Sequence, residues 1–154
     1  MLRISRLTDY GTVVLAHLAR DHTYVASAAE VAAATGLAIP TVSKLLKSLC
    51  KADLVTSTRG AHGGYKLARA PGEISAADVI DALEGPVSIT DCSSADRHCE
   101  IESQCGVGSA WQRINVAIRR ALGDITLVDL QKSSSSVPTF SFAGMPINVE
   151  EKAP

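Results

Sequence analysis

Cys92, Cys99 and Cys105 fall in one polar stretch that runs from Asp91 to Cys105, and they are three of the four cysteines in the chain. Six residues separate the first two and five separate the second two. Neither a strand nor an apolar helix face explains that spacing, so the stretch reads as a loop built around its thiols. Thiolates are soft ligands that favour iron-sulfur clusters, zinc and copper(I). Three on one loop can converge on a single centre if a fourth ligand arrives from elsewhere. Four readings stay open on the residues alone: an iron-sulfur site, a zinc site, a thiol redox switch, or inert cysteines. The absence of close Cys-x-x-Cys pairs counts against structural zinc. Asp91, Glu100 and Glu102 surround the thiols with negative charge, which disfavours bare thiolates and which an iron centre would offset. His98 beside Cys99 does not make a catalytic pair, because neighbours on a loop define neither a base nor a pocket. No enzyme is expected. Cys50, far from the loop, reads as a small buried hydrophobe and stays outside the candidate metal site.

The 154 residues suffice for one ordinary domain or two small ones with a genuine apolar core. The N-terminal segment lacks a signal-peptide pattern and no run is long enough to span a bilayer, so a cytoplasmic protein without a membrane partner is expected. In a reducing compartment clustered cysteines point to metal or redox chemistry before structural disulfides. The net charge of -1 hides an asymmetry. Residues 1–70 carry nine Lys/Arg against four Asp/Glu, and residues 71–154 carry six against twelve. A basic front joined to an acidic back suggests a module that faces a polyanion, coupled to a second function.

The elements that would carry these residues can be read in order. A first helix is expected from Thr8, as N-cap, through Arg20, with Val14, Leu15, Leu18 and Ala19 on its apolar face. Asp9 then stands in the first turn, where a carboxylate stabilises the helix N-terminus. Ser27-Ala28-Ala29-Glu30 is a capping box that opens a short helix ended by Gly36. Pro40 suits the first turn of the next helix, which runs to about Ala52 and buries Val42, Leu45, Leu46 and Leu49. Its other side offers Thr41, Ser43, Lys44, Lys47, Ser48 and Lys51. Two helices joined by a tight glycine turn form a helix-turn-helix, whose second helix lies in the major groove of duplex DNA. A charged helix face alone is usually just solvated. The following segment strengthens the reading: Leu54 to Thr58 and Tyr65 to Ala68 have strand composition around an Arg59-Gly60-Ala61-His62-Gly63-Gly64 turn. That hairpin is a wing, with Arg59 and His62 at or beside its tip, where a cation can meet phosphate or the minor groove.

Ser75 begins another helix, stopped at Gly85-Pro86. Ser109 to Leu122 reads as a longer helix with Trp111, Ile114, Ala117, Ile118 and Ala121 at three- and four-residue spacings. A chain this small has little core left to cover that stripe, so a partner subunit is expected to do so. Thr126 to Leu130 adds a last helical turn, and the serines and prolines beyond it suggest a flexible tail over residues 131–154.

Several segments together resemble the Rrf2 family of dimeric winged-helix regulators, of the IscR, NsrR and RirA type. They are the N-terminal Leu2-Arg3-Ile4-Ser5-Arg6-Leu7-Thr8-Asp9-Tyr10, the wing with Arg59-Gly60 and Gly63-Gly64-Tyr65, and the three-cysteine loop before a long helix. The segments from Ala76 to Pro86, Cys105-Gly106-Val107 and Trp111 to Asn115 look most like those of the regulator of the SUF iron-sulfur assembly system. The resemblance covers about residues 1–130. It implies that Cys92, Cys99 and Cys105 bind an iron-sulfur cluster of two or four irons. It also offers Asp9 of the opposite protomer as fourth ligand, since the histidine some relatives carry after the third cysteine is replaced here by Gly106-Val107-Gly108. Two departures stand out: one extra residue between Cys92 and Cys99, and Ser43 where some relatives carry a glutamate.

The expectation is therefore a mainly α fold. A winged helix-turn-helix domain with a small β-hairpin occupies residues 1–70, and a cluster loop with a long dimerisation helix occupies 71–130. The function expected is a homodimeric DNA-binding repressor that senses iron-sulfur status, controls SUF genes and takes no small-molecule substrate. A thiol-disulfide or zinc regulator of the same fold is the rival, and a redox protein that does not bind DNA is a further one. Pro40, Thr41, Ser43, Lys44, Lys47, Arg59 and His62 are the residues expected to meet duplex DNA.

Overall fold

A computed structural model of the chain describes residues 4–60, 63–90, 93, 105–132, 140–142 and 145–147. The first helix, α1, spans Arg6–Leu18 and continues as a 3-10 turn through Asp21. Its N-cap is Ser5, whose hydroxyl accepts from the Thr8 amide, so the helix starts earlier than the Thr8 expected from sequence. Thr8 is instead 3% exposed, and its hydroxyl donates to Glu84 Oε1. A contact 76 residues away thus removes Thr8 from the capping role.

Helix α2, Ala28–Thr35, begins with the expected capping box: the Ser27 amide donates to Glu30 at 2.7 Å and the Glu30 amide donates to the Ser27 hydroxyl at 3.2 Å. Gly36 closes it at φ 71°, a left-handed conformation that suits glycine. The chain then bends by 116° into α3, Ile39–Lys51, with Pro40 in the first turn. Val42, Leu45, Leu46 and Leu49 are all 0% exposed and pack in one cluster with Val14, Leu15 and Val31. Asp53 at φ 55° turns the chain out of α3, a conformation Asp tolerates.

Strands β1 (Val55–Thr58) and β2 (Gly64–Leu67) pair antiparallel, from Val55 opposite Leu67 to Thr58 opposite Gly64. Val55 and Leu67 anchor the base of this wing in the core, while Thr56, Ser57 and Thr58 are exposed. Ala26 bridges to Tyr65 through bonds of 2.9 and 2.7 Å, a third backbone segment on the sheet. Gly64 is required there. A Cβ on Gly64 would stand 2.5 Å from the Ala26 carbonyl oxygen, and backbone cannot retreat as a side-chain tip can.

Helix α4, Ala76–Glu84, is capped by Ser75 with Asp78 and ends at Gly85. It crosses α1 at Gly11, where a Cβ would stand 2.3 Å from Leu83 Cδ1. Helix α5, Gly108–Asp124, is tied to α4 by a two-pronged Arg119–Asp81 ion pair. The chain then returns to the N-terminal module. The Leu127 amide donates to the Ile74 carbonyl at 2.8 Å, the Ala76 amide to the Ile125 carbonyl at 2.8 Å, and Leu127 is fully buried. The expected last turn is therefore a separate short helix, α6 (Leu127–Gln131), capped by Thr126. Beyond it, β3 (Phe140–Phe142) and β4 (Met145–Ile147) pair as a hairpin in the segment read from sequence as a tail. The architecture is mainly α with a small antiparallel wing, as expected.

Two outcomes test these contacts. Gly64→Ala is expected to destabilise the fold by about 1–3 kcal/mol, lowering the unfolding midpoint by several degrees. Gly72→Ala, which has nothing within 4 Å of its Cβ, should leave the midpoint unchanged. Glu84 accepts from the Thr8 hydroxyl and the Ser5 amide, and these bonds hold its carboxyl below the ordinary value. Its charge therefore stabilises the fold above the unfolded-state pKa, and that contribution is lost as pH falls through the lowered folded-state value. The stability gap between wild type and Glu84→Gln should be full at neutral pH and close in acid. A gap that stays constant through the carboxylate range would show that ionised Glu84 is not its source.

Candidate functional site

Because the inner face of α3 is fixed by four fully buried side chains, its outer face is fixed too. Pro40, Lys44 and Lys47 are exposed there, and Thr41 and Ser43 are half-buried. Lys44 and Lys47 lie three residues apart, on neighbouring positions of one helix face. Neither forms an ion pair among the described residues, and Lys51, one turn further on, is likewise exposed and unpaired. Arg59 is exposed at the end of β1 and is also free of an ion pair among the described residues. His62 lies outside the described residues. Lys66 was not singled out from sequence. It stands opposite Thr56 on the solvent side of the wing, exposed and unpaired among the described residues. Alternation along the strand, with Leu67 buried and Lys66 outward, is the signal that finds it. By contrast Arg69 is engaged, its guanidinium donating to the Glu73 carbonyl at 3.1 Å and lying 3.7 Å from Asp78. The structure thus brings a row of unpaired cations and short hydroxyl side chains onto α3 and adds two more cations on the wing.

The second set of candidates is described in part. Cys92, Cys99, His98, Asp91, Glu100 and Glu102 lie outside the described residues. Cys105 is half-buried, three residues ahead of the first residue of α5. A Cβ on buried Gly108 would sit 3.8 Å from its sulfur, so the thiol rests on the first turn of that helix. Asp9 is exposed in the first turn of α1. Ser5 already supplies the side-chain cap, and the Asp9 carboxylate has no hydrogen-bond or ion-pair partner among the described residues. It borders a groove of about 690 Å³ between the start of α1, α4 and the α5–α6 turn, lined also by Val79, Ile80, Leu122 and Ile125. Among the described residues no three His, Cys, Asp or Glu side chains gather into a metal site within one chain. Cys50 packs against the core, and burial pushes its thiol pKa up against a smaller opposing effect of its hydrogen bond with Ser57. That supports its reading as a small core residue.

The stripe expected on α5 divides. Ile118 and Leu122 turn towards α4 and line a cleft with Ile80 and Pro86, whereas Trp111 and Ile114 stay 40% and 42% exposed and Val107 58%. Part of the apolar surface is therefore covered within the chain, and an uncovered strip remains at the N-terminal half of the helix. Asn115, on the covered side, is 9% exposed and its Oδ1 has no hydrogen-bond partner among the described residues. Among the described residues no single helix is long and apolar enough to cross a membrane.

Comparison with known proteins agrees with the architecture. The Rrf2 family model, whose description is "Iron-dependent Transcriptional regulator", matches residues 4–133. The chain is 31% identical to Protein rrf2 of Nitratidesulfovibrio vulgaris over 138 residues, which cover 89% of this chain and 92% of that protein. The solved structure of CymR (YrzC), the global cysteine regulator of B. subtilis, superposes with a TM-score of 0.65 at 34% identity, covering 85% of this chain and 97% of CymR. T. potens IscR superposes with a TM-score of 0.61 at 32% identity, covering 85% and 87%. With a helix-turn-helix and wing whose outer faces are cationic, and a family match over nearly its whole length, this chain belongs to the Rrf2 family of DNA-binding transcriptional regulators.

Proposed function

We propose that the protein is a homodimeric repressor that senses iron-sulfur status and controls iron-sulfur assembly genes of the SUF type. Cys92, Cys99 and Cys105 would hold the cluster, with Asp9 of the opposite protomer as fourth ligand. The observation that carries this reading is the three-cysteine loop leading into α5, on a chain that also bears a cationic winged helix. The donor set fits the group: three thiols are soft ligands for iron, and the Asp9 carboxylate has no partner among the described residues, Ser5 being the side-chain cap of α1. When bound, the cluster would supply an iron-centred link whose presence depends on iron and oxidants.

What the chain contributes is the coupling. Asp9 belongs to α1, which shares a buried cluster with α3 through Val14, Leu15, Leu45 and Leu46. A constraint placed on the first turn of α1 therefore bears on the helix that meets DNA. In a dimer, half-site spacing must match the separation of the two recognition helices, so a constraint on that separation becomes a difference in operator affinity. The exposed strip at Val107, Trp111 and Ile114 is the surface that a second copy would cover.

The likeness to Staphylococcus aureus CymR, solved in an oxidized form, supports one second reading, in which the same thiols act by disulfide formation; a zinc site on those thiols is the other form of that rival. Protein purified without oxygen separates the two. The first reading expects visible absorption with stoichiometric iron and acid-labile sulfide, both lost in Cys92→Ala and weakened in Asp9→Ala. A colourless wild type, or a Cys92→Ala protein with undiminished iron, would remove it. The DNA face has its own check. Lys44→Ala with Lys47→Ala should weaken binding to all duplex sequences, and the slope of log K against log salt should drop by about 0.9 for each phosphate that is no longer neutralised.

A further inference from the structure

The first turn of α3 breaks a local rule. Ser, Thr, Asp or Asn is favoured at a helix N-cap, yet Ala38 stands there with no side-chain cap. The next two residues are apolar as well. Ala38, Ile39 and Pro40 are all exposed, and Ile39 is 53% exposed although α3 buries four other apolar side chains completely. A lone exposed isoleucine needs no explanation on an ordinary surface. This one occupies the N-terminal turn of the recognition helix, the part of a helix-turn-helix whose side chains reach base edges. It is followed by Lys44 and Lys47, which carry the charge complementary to a phosphate backbone. At such a place an apolar side chain has one distinctive target in the major groove, the C5-methyl of thymine, the one methyl group that the four bases present there.

We propose that Ile39 is a specificity-determining residue that reads a thymine methyl group, with Pro40 extending the apolar contact. Neither side chain can donate or accept a hydrogen bond, so this turn selects thymine by shape and by the methyl removed from water. Polar readout begins only at Thr41 and Ser43, the first hydroxyls on the helix. The lysines then supply affinity without sequence information. The inference rests on α3 being the DNA-reading helix and not on any view of the cysteine loop.

The test replaces thymine by deoxyuridine, which lacks only the methyl. A duplex selected by the full-length protein from a random-sequence pool serves as probe, with each thymine exchanged in turn. One symmetry-related thymine pair is expected to lose about threefold to fivefold in affinity per methyl removed, the size of one buried methyl group. Ile39→Ala, whose side chain is outside the core, should bind the parent duplex more weakly and become indifferent to deoxyuridine at that same pair. Lys44→Ala should keep the full thymine preference at lower overall affinity. Indifference of the wild type to every deoxyuridine exchange would overturn the proposal. So would an Ile39→Ala protein that discriminates as well as wild type, with circular dichroism showing both folded. Failure to select any duplex would instead strike at DNA binding by α3, and at the proposal with it.

Discussion

The complete burial of one side of α3 is the constraint on which the other features rest. Val42, Leu45, Leu46 and Leu49 have no exposed surface, and burying each is worth about 1.5–3 kcal/mol relative to leaving it in water. Rotating the helix by a fraction of a turn would bring several of them into solvent at once. The outward side chains therefore have little choice of direction. Lys44 and Lys47 owe their position to residues that never touch solvent. The wing follows from the same burial, because Leu54, Val55 and Leu67 close the core beside α3 and leave the outer half of the hairpin exposed. Ala26 pins β2 from the other side, at the cost of admitting only glycine at position 64.

A second set of contacts joins the two ends of the chain. Glu84, the last residue of α4, receives both the Ser5 amide and the Thr8 hydroxyl at the start of α1, and Gly11 lets Leu83 approach that helix closely. Arg119 fastens α5 to α4 through Asp81, while Leu127 enters the common core. The long helix is thus connected to α1 by way of α4, and α1 to α3 by shared apolar packing. Packed elements of this kind move as units, so a force applied at the first turn of α1 is not dissipated in a loose loop.

Features with a local cause were legible in the sequence. The Ser27–Glu30 capping box, the Gly36 turn, the buried stripe of α3 and the hairpin around Arg59 follow from residues within a few positions of one another. Features with a distant cause were not. Ser5 and Thr8 are both competent N-caps, and the choice between them was made by Glu84, which no local window contains. The Ala26–Tyr65 bridge joins backbone segments far apart in the chain, which no local window contains. The apolar stripe of α5 was visible, but its division between a face against α4 and an exposed strip depends on where α4 lies. Of the candidate metal ligands, Cys105 and Asp9 are within the described residues, while Cys92 and Cys99 are not, so the ligand set still rests on the sequence and the family resemblance.

The separation of tasks along α3 bears on how such a regulator keeps affinity and sequence preference apart. The exposed cations at positions 44, 47 and 51 would attract any duplex, and such a contribution fades as salt screens it. An apolar contact at position 39 has no such dependence, since the methyl group carries no charge. Raising salt should therefore lower total affinity while leaving the thymine preference nearly constant. Were Ile39 a polar residue paired to a base edge, the loss of a partner would leave a buried unsatisfied group and a harsher penalty for mismatch. An apolar reader would impose a milder penalty for mismatch at that base.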